Sequence, residues 1–492
     1  MENHIPKIVA FLCTWCSYAG ADLAGTGRNQ YPPNIRVIRV PCSGRINPIY
    51  IIKALLEGAD GVMVSGCHPG DCHYLVGNYH ARRRFTVLKK LLTTAGFEPD
   101  RVQFTWVSAS EGARFADVVT EVTAKVTVLG SSLMEIIRQR DGSSVICQGD
   151  GSSVIPEMQV EGSAASLENQ EKSSARVEQG DDSSAFLHKN GNFSLQQKEL
   201  ISLCKNLLEE NTVNTVIGFQ KGGELGLSLP CFIDSPMDAG KLVWNNRCVP
   251  NLSGYLSERI GRTAIVAKPC DARAVVSLIK ENQLKRNDIY IVGLACDGMV
   301  NSEGKPLPAC LECKVRIPPV YEVLVGDKVV DNPQDKTIEL SPCPPKDMTQ
   351  EPSLCHKVEE LTPGFERFVG EMNKCILCFS CRQSCYGCYC KTCFMERGEP
   401  DWQTASPDIG AKMLYHLGRS THLSGRCVEC GACENACASG VDIRYLIKAV
   451  THFIEVTYDY QAGMDNEPAM LTFKTDDPEI GFLGYEGSDT YV

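Results

Sequence analysis

No stretch of this sequence reaches the ~18 consecutive apolar residues that a membrane span requires, and no block of Lys and Arg stands out. The first absence argues against a membrane-spanning protein. The second, with 49 basic residues against 60 acidic and a net charge of −11, leaves nucleic acid without an electrostatic footprint. "MENHIPKIVAFLC" has no small-residue cleavage site after its short apolar run, so it is not expected to be a secretory signal. No G-x-G-x-x-G follows a strand-like run, and the glycine-rich "GFQKGGELG" reads as a loop. What the chain has in excess is cysteine, 26 in 492 residues. In the reducing cytoplasm expected for this chain, clustered thiols read as metal ligands or redox centres rather than disulfides.

The fold class expected is α/β, in several domains. Over residues 5–130, "KIVAFLC", "IRVIRVPC", "GVMVSGC" and "VQFTWVSAS" read as apolar strands. "INPIYIIKALLEGA", "YHARRRFTVLKKLLTTAG" and "ARFADVVTEVTAKV" read as helices, which implies a parallel sheet covered on both faces. Three strands end in Cys13, Cys42 and Cys67, with Cys16 and Cys72 close behind. Sites in open parallel sheets form at the carboxyl ends of strands, so five thiols gather on one edge. Residues 136–192 are serine- and charge-rich and read as a flexible linker, where Cys147 is incidental. Residues 194–345 return to α/β, with strands ending in Cys270 and Cys296 and a Cys310–Cys313 knuckle in "PACLECKV". Residues 356–455 read as mainly helical, and 459–492 as an acidic tail or docking strap.

Cys375, Cys378, Cys381 and Cys385 make C-x2-C-x2-C-x3-C, and Cys427, Cys430, Cys433 and Cys437 repeat it. This is the bacterial ferredoxin signature for 4Fe–4S clusters, in which the fourth cysteine ligates the other cluster. Structural zinc usually takes two Cys-x-x-Cys pairs across a longer loop, which two compact quartets do not match. Tyr386 and Ala438 stand where proline usually follows. "SPDIGAKMLYHLGRS" between the quartets reads as a helix capped by Ser406 with Pro407 at its first position. The arrangement is similar to the α-helical ferredoxins of respiratory subunits. Cys388, Cys390 and Cys393 remain, either as structural thiols or as part of a further cluster.

"CTWC", "VPCSGRI", "GCHPGDCHY" and "FTWVSASEG" resemble the delta subunit of methyl-viologen-reducing hydrogenase. The resemblance implies a small α/β electron carrier holding a 2Fe–2S cluster and docked to the flavoprotein subunit of heterodisulfide reductase. Five cysteines are offered for four ligands: Cys13, Cys16, Cys42, Cys67 and Cys72. His68 and His73 flank two of them and read as hydrogen-bonding neighbours rather than Rieske-type ligands. A thioredoxin-like reading of Cys13 and Cys16 is weakened by the three companion thiols. "VAKPCDARAV", "IVGLACDG" and "CLECKVRIPPVYEVLVGD" are similar to the beta subunit of deazaflavin-reducing hydrogenase and formate dehydrogenase. That resemblance implies FAD and a 4Fe–4S cluster on Cys270, Cys296, Cys310 and Cys313, and FAD rests on it alone. The competing set for a third cubane is Cys388, Cys390 and Cys393 with a borrowed fourth ligand.

The function expected is an iron–sulfur electron-transfer subunit of a cytoplasmic anaerobic redox complex. It would carry one 2Fe–2S and two or three 4Fe–4S clusters. Its partners would be a heterodisulfide-reductase-like flavoprotein and a hydrogenase or formate dehydrogenase. The alternatives are a flavin enzyme acting itself on a nicotinamide or deazaflavin, and a zinc scaffold.

Overall fold

The structure, a computed structural model, describes residues 4–140, 191–223, 226–326, 363–396, 408–464, 470, 474–478 and 482–483. β-Branched and aliphatic runs give β1 (Ile8–Cys13), β2 (Ile35–Val40), β3 (Gly61–Gly66) and β4 (Val102–Trp106). They form one parallel sheet in the order β2-β1-β3-β4. Successive side chains on a strand point to opposite faces; both faces of β1, β3 and β4 are covered, while the edge strand β2 is exposed from Arg36 to Arg39. Ile8, Ala10 and Leu12 meet α1 (Ser17–Thr26) and α4 (Gly112–Leu129) on one side. Phe11, Val62 and Val64 meet α2 (Pro48–Leu56) and α3 (Gly77–Thr94) on the other. Sequence periodicity finds α2, α3 and α4 but not α1, whose "SYAGADLAGT" is too rich in glycine and alanine to show an apolar stripe.

α5 (Leu133–Arg140) and α6 (Gly191–Glu209) occupy the two ends of the stretch expected as a linker. Residues 141–190, with Cys147, lie outside the described residues, as do 327–362. The second sheet runs β6-β5-β7-β8-β9, built from β5 (Thr215–Gln220), β6 (Leu229–Ile233), β7 (Thr263–Ala267), β8 (Ile289–Leu294) and β9 (Val323–Val325). Only β6 is antiparallel to its neighbour. Helix α7 (Pro269–Lys280) joins two cores: Ala272 and Val275 pack on its own sheet, while Ala274 and Leu278 belong to the core of the first sheet and the C-terminal helices.

After the short α8 (Pro308–Glu312), the C-terminal region is helical: α9 (Pro363–Lys374), α10 (Ser380–Gln383), α11 (Ile409–Leu423), α12 (Ala432–Asn435) and α13 (Arg444–Tyr458). α11 lies on α2 and α13 on α3, so this region shares a core with the first domain. α9 seats at Gly96, whose φ of +85° and lack of a side chain both matter: a Cβ there would stand 2.0 Å from the Phe365 nitrogen. Ser406 and Pro407 fall outside the described residues. The described α11 begins at Ile409, where Asp408 accepts from Ala411 N at 2.7 Å as its N-cap. No described helix is long and apolar enough to cross a membrane.

The described parts of the acidic C-terminus strap back over the first domain. Leu483 N donates to Phe104 O at 2.7 Å, and Phe482 stacks on Trp106 at 4.7 Å. Arg83 of α3 donates through Nε to Asp477 Oδ2 at 2.9 Å, with both side chains under one-tenth exposed. Removing one partner of a buried pair strands the other charge, at a cost of about 3–5 kcal/mol. Asp477→Ala is therefore expected to lower the unfolding free energy by about 3 kcal/mol. It should also make the segment around Lys474 and Phe482 the first site of limited proteolysis. A melting curve and cleavage pattern like those of the unmodified chain would show that the strap does not hold.

Candidate metal centres

The carboxyl ends of β1, β2 and β3 carry Cys13, Cys42 and Cys67 to one edge, and the loops after β1 and β3 add Cys16 and Cys72. All five are buried and form one cluster. The sulfurs of Cys13, Cys16 and Cys67 lie within 4.8 Å of one another. Cys42 Sγ stands 3.7 Å from Cys72 Sγ, over the first residue of α3. That residue is Gly77, where any Cβ would meet Cys42 Sγ at 2.4 Å. Cys13 is the hub: contacts with Cys16 and then Cys42 hold its thiol below the ordinary value, while Cys16 is pushed up to about 12, chiefly by Cys13. The flanking histidines lie outside the set. His68 Nε2 is 2.8 Å from Glu111 Oε2, and His73 stacks on Trp15 at 3.8 Å.

In the helical region the two quartets exchange members. Cys375, Cys378 and Cys381 line one cavity together with Cys437. Cys385 stands in electrostatic reach of Cys427, Cys430 and Cys433. The two loops have the same shape. Leu377 and Phe379 in one, and Glu429 and Gly431 in the other, have φ between +52° and +72°. Three of these are not glycine, and the left-handed region costs such residues roughly 1–3 kcal/mol each. The turn aims backbone N–H groups at sulfur: Leu377 N to Cys375 Sγ and Glu429 N to Cys427 Sγ, both 3.4 Å. Val441 N to Cys437 Sγ, at 3.3 Å, adds a third.

The third set is Cys270, Cys296, Cys310 and Cys313, which line one cavity. β7 and β8 are parallel neighbours, so their carboxyl ends adjoin. Cys270 does not end its strand as expected. β7 stops at Ala267, and Cys270 sits in the first turn of α7, because Pro269 breaks the ladder and starts the helix. Cys430 of the second quartet lines this same cavity. The join is tight: a Cβ on Gly431 would lie 2.6 Å from that of Ala309 in α8, and Arg444 binds both Glu312 (2.7 Å) and Glu434 (2.9 Å).

Side chains that the motifs do not announce complete these centres. α11 turns Tyr415, His416 and Arg419 inward: Tyr415 OH is 3.3 Å from Cys381 Sγ and His416 Nε2 3.2 Å from Cys375 Sγ. Arg419, 4% exposed, donates to Cys381 O at 3.0 Å and faces Cys385, Cys388 and Cys433. Lys268, 2% exposed, pairs with Asp271 at 2.8 Å and lines the cavity of Cys270 and Cys296. The only sequence signal for Arg419 was a charged residue within the apolar α11 pattern. Of the surplus thiols, Cys388 is beside Cys385, whose thiol is held down at about 6, first by Cys388 and then by Arg419. Cys390 is exposed and Cys393 half-buried.

Burial raises the thiols of Cys270 and Cys427, and pushes Cys296 and Cys430 up to about 12. Such groups become thiolates when a metal binds them. One zinc ion with Zn–S of ~2.3 Å would draw four sulfurs to about 3.8 Å from one another. Among the described residues, only Cys13, Cys16 and Cys67 bring three ligand atoms within 4.8 Å. Cys375, Cys378, Cys381 and Cys437 line one cavity, and Cys270, Cys296, Cys310 and Cys313 another, without three of their sulfurs coming within that distance.

Residues 8–130 match the family described as methyl-viologen-reducing hydrogenase, delta subunit. An F420-non-reducing hydrogenase iron-sulfur subunit of Archaeoglobus profundus is 57% identical over 129 residues, 26% of this chain and 94% of that protein. The vhc iron-sulfur subunit of the F420-non-reducing hydrogenase of Methanococcus voltae is 55% identical over 129 residues, 26% of this chain and 90% of its own length. A ferredoxin:CoB-CoM heterodisulfide reductase subunit of Methanosarcina mazei is 47% identical over 138 residues, 28% of this chain and 17% of that protein. Through its N-terminal domain, the chain belongs to the family of methyl-viologen-reducing hydrogenase delta subunits.

Proposed function

We propose that this chain is an iron–sulfur electron-transfer subunit joining a hydrogenase or formate dehydrogenase to a heterodisulfide-reductase-like flavoprotein. The observation that carries the reading is the contiguity of the thiol sets. Cys430 belongs to one set and lines the next, and Arg419 faces members of both quartets. The relatives support the partners, since the same domain occurs by itself in hydrogenase iron-sulfur subunits and as one part of a heterodisulfide reductase polypeptide.

In this reading four of the five N-terminal thiols hold a 2Fe–2S cluster. Cys375, Cys378, Cys381 and Cys437 hold one 4Fe–4S cluster, Cys385, Cys427, Cys430 and Cys433 a second, and Cys270, Cys296, Cys310 and Cys313 a third. Bound clusters of these types supply one-electron chemistry. The protein's part is to set charge and exclude water. Arg419 and Lys268 place buried positive charge beside the sulfurs, the left-handed loops supply N–H donors, and the apolar core around α11 keeps solvent out.

Three outcomes follow. In anaerobically purified protein, Cys437→Ala should lose about four irons and the electron spin resonance signal shared with Cys378→Ala, leaving the signal lost in Cys430→Ala. If Cys437→Ala instead matches Cys430→Ala, the exchange of fourth ligands is wrong. Among the five single Cys→Ala variants at the N-terminal edge, four should lose the 2Fe–2S spectrum and one keep it. Retention in two or more would count against a thiol-ligated cluster there. Lys268→Met removes a cation that favours the reduced form, so one cubane potential should fall by on the order of 60 mV, a tenfold change for one electron. An unmoved potential in a fully loaded variant would remove Lys268 from this role.

A further inference from the structure

Helix α11 is buried along most of its length, and two adjacent polar side chains of it are buried too, Tyr415 (1% exposed) and His416 (3% exposed). A buried hydroxyl or imidazole left without a partner costs free energy, so the partner each one finds is informative. Tyr415 Oη lies 3.3 Å from Cys381 Sγ, and His416 Nε2 lies 3.2 Å from Cys375 Sγ. Among the described residues these sulfurs are the only hydrogen-bond partners of the two side chains. Both residues line the cavity that Cys375, Cys378, Cys381 and Cys437 share, and neither lines the cavity of the Cys270 set.

Chemistry fixes the direction of these two hydrogen bonds once a metal is held. A ligating thiolate has no proton to give, so the Tyr415 O–H and the His416 N–H are the donors, and the imidazole proton sits on Nε2. Burial keeps the phenol protonated and the imidazole neutral, so each supplies a dipole without a net charge. The other quartet has no counterpart among the described residues: no tyrosine or histidine hydrogen-bonds a sulfur of Cys385, Cys427, Cys430 or Cys433. Tyr386, next in sequence to Cys385, donates instead to Arg426 O. The Cys427 sulfur takes only the backbone N–H of Glu429, at 3.4 Å.

We propose that Tyr415 and His416 are positioning residues for electron transfer: they donate hydrogen bonds to ligand sulfurs of the first cubane and raise the reduction potential of that cubane alone. Hydrogen bonds to sulfur offset the negative charge that a cluster gains on reduction, and so favour its reduced form. The inference rests on the iron–sulfur reading of the first quartet. It names the two side chains that distinguish one cubane from the other although the loops around them have the same shape.

The test is a redox titration, followed by electron spin resonance, of the full-length chain purified without oxygen. Tyr415→Phe removes one hydroxyl and leaves the ring in its edge contact with Phe379. It should keep its iron and lower the midpoint of the signal that depends on Cys378 by about 30–60 mV, a three- to tenfold change for one electron. His416→Leu should lower the same midpoint, and His416→Gln, whose amide N–H reaches the place of Nε2, should restore most of it. The signal that depends on Cys430 should keep its midpoint in all three variants. A fully loaded Tyr415→Phe with an unmoved midpoint overturns the role of Tyr415, and a midpoint as low in His416→Gln as in His416→Leu overturns that of His416. Equal shifts in both signals overturn the selectivity. A wild-type chain without the Cys378-dependent signal overturns the iron–sulfur reading itself, and this inference with it.

Discussion

Charge on buried sulfur is the constraint that the rest of this structure answers to. A thiolate leaving water for a protein interior loses its solvation, and here burial drives the thiols of Cys270, Cys296, Cys427 and Cys430 upward in pKa. The fold counters that cost in three ways. It turns backbone N–H groups onto sulfur through left-handed loops, places Arg419 and Lys268 beside the sets, and gathers enough thiols at each place to chelate a metal. The strain at Leu377, Phe379 and Glu429 makes sense only with the first of these.

The same constraint explains the packing between modules. A set of thiols near its neighbour must be held at a fixed separation, and a flexible hinge would not do that. Helices with two buried faces act as the joints. α7 serves its own sheet and the C-terminal core, α11 packs on α2 while facing the quartets, and α3 carries both α13 and the C-terminal strap. Arg273 of α7 fastens one joint by donating to Ala462 O and Val428 O, the latter next to the second quartet.

Much was legible in the sequence because local chemistry is short-ranged. The four strands of the first sheet are continuous β-branched runs, and cysteines at their ends reach one edge wherever the helices go. The quartets announce themselves by spacing. Helix α1 was not legible, since Gly20 and Gly25 dilute its apolar pattern. The start of α11 at Asp408 was not either, since "SPD" offers two capping residues and only the fold selects between them. Cys270 was assigned to a strand end because the step from β7 into α7 occurs within three residues.

By itself the sequence determined that the chain is α/β with metal-type cysteine spacing, and that Cys13, Cys42 and Cys67 sit at or just past strand ends. Those properties depend on residues within a few positions of one another. The tertiary structure alone decided the company each thiol keeps. Cys437 sits with Cys375 and Cys385 with Cys427, Cys430 adjoins the Cys270 set, and Arg419 stands between the quartets. These are contacts between residues tens to more than a hundred positions apart. They are fixed by how α11, α7 and α8 pack on the two sheets, which no local spacing encodes.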